Sequence, residues 1–154
     1  MERIKIVLTI IIFCSLTSCY EILGPQMQVV LYRLTNNSAD YIGFSFYAHA
    51  KGDIDNQNFT CIKVKKETIM PFDSIGGSLD FYGEESNSWV DYFNTEKIDT
   101  FYVIISATPI EAKEGQKYDA LPEGSNILAI YKYTKENFLD YNPKTDAAAF
   151  VYPQ

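Results

Sequence analysis

The chain has 154 residues, of which 47% are hydrophobic and 15% aromatic, and its 13 basic and 20 acidic residues give a net charge of −7 at neutral pH. This length suits one domain with a buried core of its own. The acidic balance argues against nucleic acid, and against peripheral binding to anionic lipid headgroups.

The chain opens with a short apolar run behind a basic start. Arg3 and Lys5 precede the apolar residues 6–13. A membrane-spanning helix needs about 20 apolar residues, so this run is too short and is typical of a secretory signal peptide. We predict a signal peptide over residues 1–18. Its removal takes away one acidic and two basic residues and would leave the remainder at −8.

The predicted signal ends in Leu16-Thr17-Ser18-Cys19, which resembles the lipobox of bacterial lipoproteins. The resemblance implies diacylglycerol on the Cys19 sulfur, cleavage before Cys19 and acylation of the new amine, with palmitate as a typical acyl chain. Two or three acyl chains anchor a protein stably, whereas one chain gives only marginal binding. The alternative is an ordinary signal peptide, or a buried strand, with Cys19 incidental. Residues 19–26 would form a short tether, followed by a single β-rich domain over residues 27–154.

Seven segments of the domain alternate in hydropathy or are apolar throughout, and they are rich in β-branched and aromatic residues. The predicted strands lie within residues 26–34, 40–50, 59–65, 78–82, 100–106, 126–133 and 148–152. Segment 100–106 is apolar on both faces and predicts a central strand, while Gly76-Gly77 is typical of a turn. The fold class is therefore mainly β, an antiparallel sandwich of about seven strands with two short helices; the alternative is an α+β layer.

The second and third predicted strands carry most of the polar or reactive side chains of interest. Tyr41, Tyr47 and His49 share one face, where aromatic rings can stack on sugars or cover a second apolar layer; we favour packing. His49 is expected at the surface. Thr60, Ile62 and Val64 are placed together, opposite the lysines. Cys61 is left without a disulfide partner and is expected to be a small core residue.

Two short helices interrupt the strands. Ser88 is the expected N-cap of the first, which buries one face. That face consists of Trp89, Tyr92 and Phe93. Thr134 is the expected N-cap of the second helix, and Tyr133 and Phe138 are placed to form a hydrophobic staple.

Four stretches in the later half of the chain together form a recognisable pattern. They are Trp89-Val-Asp-Tyr-Phe, Asp99-Thr-Phe-Tyr-Val-Ile-Ile, Tyr131-Lys-Tyr-Thr-Lys-Glu-Asn-Phe-Leu and Val151-Tyr152-Pro153. Together with the lipobox, this pattern resembles small uncharacterised lipoproteins of Bacteroidota, from about residue 86 to residue 153. The resemblance implies a lipid-anchored envelope protein, in the outer membrane, with Trp89 and Leu139 as core anchors. It implies no activity.

The same resemblance bears on modification and on orientation. Such bacteria often glycosylate exported proteins at Asp-Ser/Thr followed by an apolar residue, and Asp73-Ser74-Ile75 resembles that motif. Ser74, expected in a loop, is therefore a candidate O-glycosylation site. Surface-export signals have several acidic residues just after the lipidated cysteine, whereas only Glu21 follows Cys19 closely. Both a periplasm-facing and a surface-facing anchor stay open, with the periplasm slightly favoured.

The sequence has only weak matches to catalytic or metal-binding motifs, and we expect no catalytic, cofactor-binding or metal site. His49 is the one histidine. Residues 53–58 offer oxygen ligands but lack the glycine and glutamate of an EF-hand loop, so a polar turn is favoured. Asp80 with Glu84 and Glu85 could serve as the acid and base of a glycosidase, although a solvated tip is favoured.

Residues 107–125 form the longest segment without a pattern, and such segments are usually functional or disordered. The prediction from sequence is thus a lipid-anchored envelope lipoprotein that acts as a non-catalytic binding or assembly module. Its partners would be the membrane, through Cys19, and an unidentified envelope protein or glycan. The alternatives are a small carbohydrate-binding module at the cell surface and a carboxylate-based hydrolase.

Overall fold

A computed structural model describes residues 26–50, 59–83, 88–141 and 147–153. The predicted signal peptide and lipobox, the acidic stretch 53–58 and the pair Glu84-Glu85 lie outside the described residues. Eight strands and two helices are described, and they follow one another as listed here. They are β1 (Gln26–Asn36), β2 (Gly43–Ala50), β3 (Phe59–Val64), β4 (Ser74–Gly83), α1 (Trp89–Thr95), β5 (Ile98–Ser106), β6 (Lys117–Tyr118), β7 (Ile127–Thr134), α2 (Lys135–Tyr141) and β8 (Ala147–Tyr152).

The strands form two sheets, which confirms the mainly-β class. One sheet has the order β4-β1-β8 and the other has the order β6-β3-β2-β5-β7. The prediction of a central strand for segment 100–106 is confirmed, because β5 lies between β2 and β7. Two details differ from the prediction. Strand β8 pairs with β1 in parallel, and the two-residue β6 adds an eighth strand inside the unpatterned segment.

The main core lies between the two sheets and is largely aromatic. Tyr32 of β1 meets Phe46 of β2 edge to face, with ring centroids 4.8 Å apart. Phe46 in turn contacts Phe101 of β5 at 5.3 Å and Phe150 of β8 at 5.5 Å. Rings at these separations add to the stabilisation from area burial. The face of β2 that carries Phe44 and Phe46 is therefore the inner face.

Both helices begin as predicted and close the core. The hydroxyl of Ser88 accepts a hydrogen bond from the backbone N–H of Asp91 at 3.2 Å. Trp89 is 5% exposed, and its indole N–H donates to the carbonyl of Leu31 at 2.9 Å. At α2, Thr134 accepts from a backbone N–H in the first turn. The predicted staple is present there, with the rings of Tyr133 and Phe138 5.8 Å apart. The side chain of Leu139 lies outside the described part of the chain.

The predicted turn at Gly76-Gly77 is wrong, because both glycines lie inside β4. Gly77 pairs with Tyr32 across the sheet. A Cβ atom on Gly77 would lie 2.6 Å from Cζ of Tyr32. The glycine therefore leaves room for the Tyr32 ring to lie over β4, which is a packing role and not a turn.

Candidate functional site

The outer face of the five-stranded sheet carries a second, smaller apolar core. Its buried members are Tyr47, Cys61, Val64 and Ile104. The segment 107–125 covers them: Ile110 and Leu121 pack against this core, and Tyr118 does so from the edge strand β6. Tyr118 meets Tyr47 edge to face at 6.0 Å. The segment that showed no pattern in the sequence is thus the cover of this face, and we call it the cover segment.

A one-residue bulge in β3 orients this second core. Phe46 pairs with Lys63 and Tyr47 pairs with Cys61, so Ile62 is the extra residue. Because side chains alternate along a strand, the extra residue brings Cys61 and Val64 to the same outer face. Ile62 packs against the main core instead. The prediction that Ile62 and Val64 share a face is therefore wrong.

Cys61 is fully buried, as predicted, and its thiol is poorly reactive. Burial is the main cause that raises the pKa of its thiol to about 11; a hydrogen bond with Tyr47 opposes the rise and the nearby carboxylate of Glu114 adds to it. A thiol with this pKa stays protonated at neutral pH and is a poor nucleophile. Burial also raises the pKa of Tyr47. These groups act as core side chains.

The cover lies close to the sheet at the start of β2. A Cβ atom on Gly43 would lie 3.0 Å from both Cα and N of Pro109 and 3.0 Å from the Ser106 hydroxyl oxygen. Ser106 and Ser45 are fully buried, and in the described part of the structure their hydroxyl oxygens have no hydrogen-bond partner. Unpartnered buried hydroxyls cost stability, so this face is not optimised for stability alone.

A groove opens where the cover leaves the sheet. Its volume is about 730 Å³, and it lies between the end of β3 and residues 109–113. Pro109, Ile110 and Ala112 form its apolar side. Three exposed charged side chains stand around it, namely Lys66, Glu111 and Lys113. An open cleft with an apolar side and a few charges is suited to binding a ligand or a peptide.

The edge of β3 beside this groove is closed by a side chain. The backbone N–H of Val64 donates to the carboxylate Oε1 of Glu114 at 3.1 Å. The other oxygen of that carboxylate lies 3.8 Å from Nζ of Lys63. Sequence reasoning missed Glu114, because its role depends on a fold of the cover that the local pattern does not encode.

His49 was expected at the surface but is partly buried. Its Nδ1 is 3.1 Å from a carboxylate oxygen of Asp99, and the two side chains are 21% and 42% exposed. The ring also lies 5.9 Å from that of Phe59. The pair joins the end of β2 to the beginning of β5.

The other predicted site residues are dispersed. Ser74 is exposed and is the first residue of β4, not part of a loop. Asp80 is exposed on the outer side of the same strand, while its two predicted partners lie outside the described residues. Tyr41 is 56% exposed and Tyr47 is buried, so these two tyrosines do not form a shared aromatic platform.

Comparisons with protein-family models, with curated proteins and with solved structures gave no match. Among the residues that the structure describes, no three acidic, histidine or cysteine side chains come together as a metal site would require. Neither described helix has the length and hydropathy of a membrane span. The groove and the adjoining edge of β3 are therefore the candidate functional site.

Proposed function

We propose that this chain is a lipid-anchored protein of the bacterial cell envelope that acts as a non-catalytic binding or assembly module. The observation that carries the proposal is the groove between β3 and the cover segment. It is preformed, because the cover is already packed onto the sheet through Ile110 and Tyr118. Preformed sites lose little conformational entropy when a partner binds.

The lipid anchor is supported by the lipobox resemblance at residues 16–19 and by the position of the first strand. β1 begins at Gln26. A chain can span at most roughly 3.3 Å per residue, so an anchor on Cys19 would hold the beginning of β1 within about 25 Å of the acylated cysteine. A partner that meets the groove would thus be held close to the membrane.

The anchor is tested by metabolic labelling with an alkyne analogue of palmitate. We expect Cys19→Ser to abolish the label and to release the protein from membranes, because the thioether-linked lipid can no longer form. Cys14→Ser and Cys61→Ser are matched controls that should keep both the label and the membrane fraction. Labelling that persists in Cys19→Ser would contradict the anchor.

The binding role is tested by photo-cross-linking in living cells. A benzophenone amino acid at position 112, on the groove, should give a discrete adduct with an envelope component. The same amino acid at position 128, on β7, is the control, since Leu128 is 41% exposed and lies away from the groove. Adducts at both positions alike would argue against a specific site. Turnover of any member of a glycan and peptide panel by the purified protein would replace the proposal with an enzymatic one.

A further inference from the structure

The edge of the five-stranded sheet at β3 is only partly paired. Strand β6 covers Phe59 and Thr60. The pairing continues for one more residue, since Cys61 donates to the carbonyl of Gln116 at 2.9 Å and accepts from the N–H of Gly115 at 2.7 Å. The chain then turns away into the cover segment, and none of the described strands lies beside Val64 on this side.

The backbone N–H of Val64 points toward this open side. The next residue, Lys65, which follows the end of β3, donates in the opposite direction to the carbonyl of Phe44 on β2, at 3.0 Å. Successive N–H groups of a strand alternate between its two sides. The Glu114 carboxylate therefore occupies the position that a carbonyl of an added strand would take, and it closes the edge as charged side chains on natural edges do.

The surroundings of this edge carry uncommitted positive charge. Lys63 lies near Glu114, and Lys65 lies 3.1 Å from Glu67. Within the described ranges, Lys66 and Lys113 have no carboxylate at ion-pair distance, and both line the groove. Glu111 stands at the same groove, so the exposed charged residues that line it have an excess of one positive charge. In a chain with a net charge of −7, this local positive excess beside an open strand edge favours an acidic occupant.

We propose that the groove receives an extended, acidic segment of a partner polypeptide that adds to β3 beyond β6 and replaces Glu114 as the acceptor for the Val64 N–H. This inference rests on the proposed binding role and adds the chemistry of the partner. Alternate side chains of the added segment would point to the apolar side of the groove at Pro109 and Ile110. Its acidic residues would lie near Lys66 and Lys113, in the manner of strand addition at a sheet edge.

Glu114 would then act as an internal competitor of the partner. Its ion pair with Lys63 joins side chains that are 48% and 40% exposed. Exposed pairs contribute little, so a partner displaces this carboxylate at small cost. The edge is thus protected against unspecific pairing while it stays available to a segment that brings both a backbone acceptor and negative charge.

The test begins with selection of random 12-residue phage-displayed peptides on the full protein, purified in detergent as the cell produces it. We expect selected peptides to alternate acidic with β-branched or aromatic residues. A synthetic copy of one of them should bind about tenfold more weakly to the double variant Lys66→Glu/Lys113→Glu and about threefold more tightly to Glu114→Ala. The Val64 amide should gain protection from hydrogen exchange in the complex.

The matched control is Arg33→Glu/Lys132→Glu, which makes the same change in net charge at exposed positions away from the groove. It should bind the peptide as the parent does, and circular dichroism should show that all variants are folded. The inference is overturned if no acidic peptides are enriched, if both double variants lose binding equally, or if the Val64 amide is unaffected. In those cases a position-112 cross-link would still support the binding role, with a partner of different chemistry.

Discussion

The two outer faces of the sandwich differ in a way that locates the candidate site. On the five-stranded sheet, Tyr47 and Ile104 are almost completely buried beneath the cover segment. On the three-stranded sheet, Met27, Leu31 and Tyr82 are 62%, 45% and 63% exposed. Both faces carry apolar side chains, but within the residues that the structure describes only one face is covered by another segment, and the groove forms where that cover ends.

The larger cleft, of about 730 Å³, therefore forms where irregular structure packs over a sheet. The uncovered face has a smaller depression, of about 400 Å³, where small residues such as Gly76, Ser78 and Ala147 lie among larger side chains. The covered face has a second layer, so it has room for a cleft between the layers. If the two faces differ in packing as well as in shape, substitutions beneath the cover should lower the free energy of unfolding more than substitutions on the uncovered face.

The largest effect is expected from truncating a side chain under the cover. Ile104→Ala should lower the free energy of unfolding by about 2–5 kcal/mol, because the side chain is fully buried and leaves a cavity. Leu31→Ala on the uncovered face should cost within about 1 kcal/mol. Urea denaturation measures both. Equal losses in the free energy of unfolding would mean that side chains on the two faces are equally well packed, which would contradict the difference between the faces.

The next effect is a loss of stability at alkaline pH that originates under the cover. In the unfolded chain the Cys61 thiol ionises near pH 9, whereas in the folded chain its pKa is about 11. The folded state therefore keeps the thiol proton to a higher pH than the unfolded state does. The contribution of this thiol to the free energy of unfolding is complete below pH 9 and is lost as the pH rises toward 11, by roughly 2–3 kcal/mol. The decrease should be smaller in Cys61→Ala. An unchanged slope in that variant would contradict a buried thiol.

A smaller effect distinguishes the two sides of the three-stranded sheet. Gly77→Ala should lower stability by about 1–3 kcal/mol, since the new methyl group meets the Tyr32 ring in the core. Gly76→Ala is the matched control, because the nearest atom to its Cβ is a backbone oxygen at 3.4 Å. That variant should be neutral or more stable by about 0.5 kcal/mol. Similar losses for both would show that the uncovered side is also tightly packed.

The smallest effect concerns the unpartnered hydroxyls beneath the cover. Ser45→Ala and Ser106→Ala should be neutral or stabilising, within about 1 kcal/mol, because they remove buried groups that make no hydrogen bond. Ser88→Ala, the same substitution at a helix cap, should cost about 1 kcal/mol. Thermal unfolding of the three variants measures these changes in stability. A clear loss in the first two would reveal a hydrogen-bond partner under the cover.

Local patterns predicted a large part of the fold. Alternation in hydropathy, or apolar character throughout a segment, predicted strands β1 to β5, β7 and β8. The caps at Ser88 and Thr134 placed both helices. These signals depend only on neighbouring residues. The parallel pairing of β8 with β1 could not be predicted, since strand residues favour an extended chain without specifying the direction of a partner. The bulge at Ile62 and the glycines of β4 depend on pairing and contacts with a neighbouring strand of the same sheet.

The candidate site was less predictable than the fold. The sequence drew attention to residues 107–125 only because no pattern was found there. Which of these residues face the sheet, and that Glu114 reaches the Val64 N–H, follows from the path of the whole segment over β2 and β3. A run such as Lys63–Lys66 indicates a positively charged region, but it does not show which of the charges are already paired.

The parallel pairing of β1 with β8 has a consequence for the order of folding. Leu31 is paired with Ala147 and Asn36 with Tyr152, so the first and last described strands lie side by side. During synthesis of the chain from its N-terminus, β1 and β4 are available early, but the three-stranded sheet stays incomplete until β8 has been made. Non-local pairings of this kind slow folding. Until then the Phe46 ring lacks the contact of Phe150, so the aromatic core is completed only when β8 is in place.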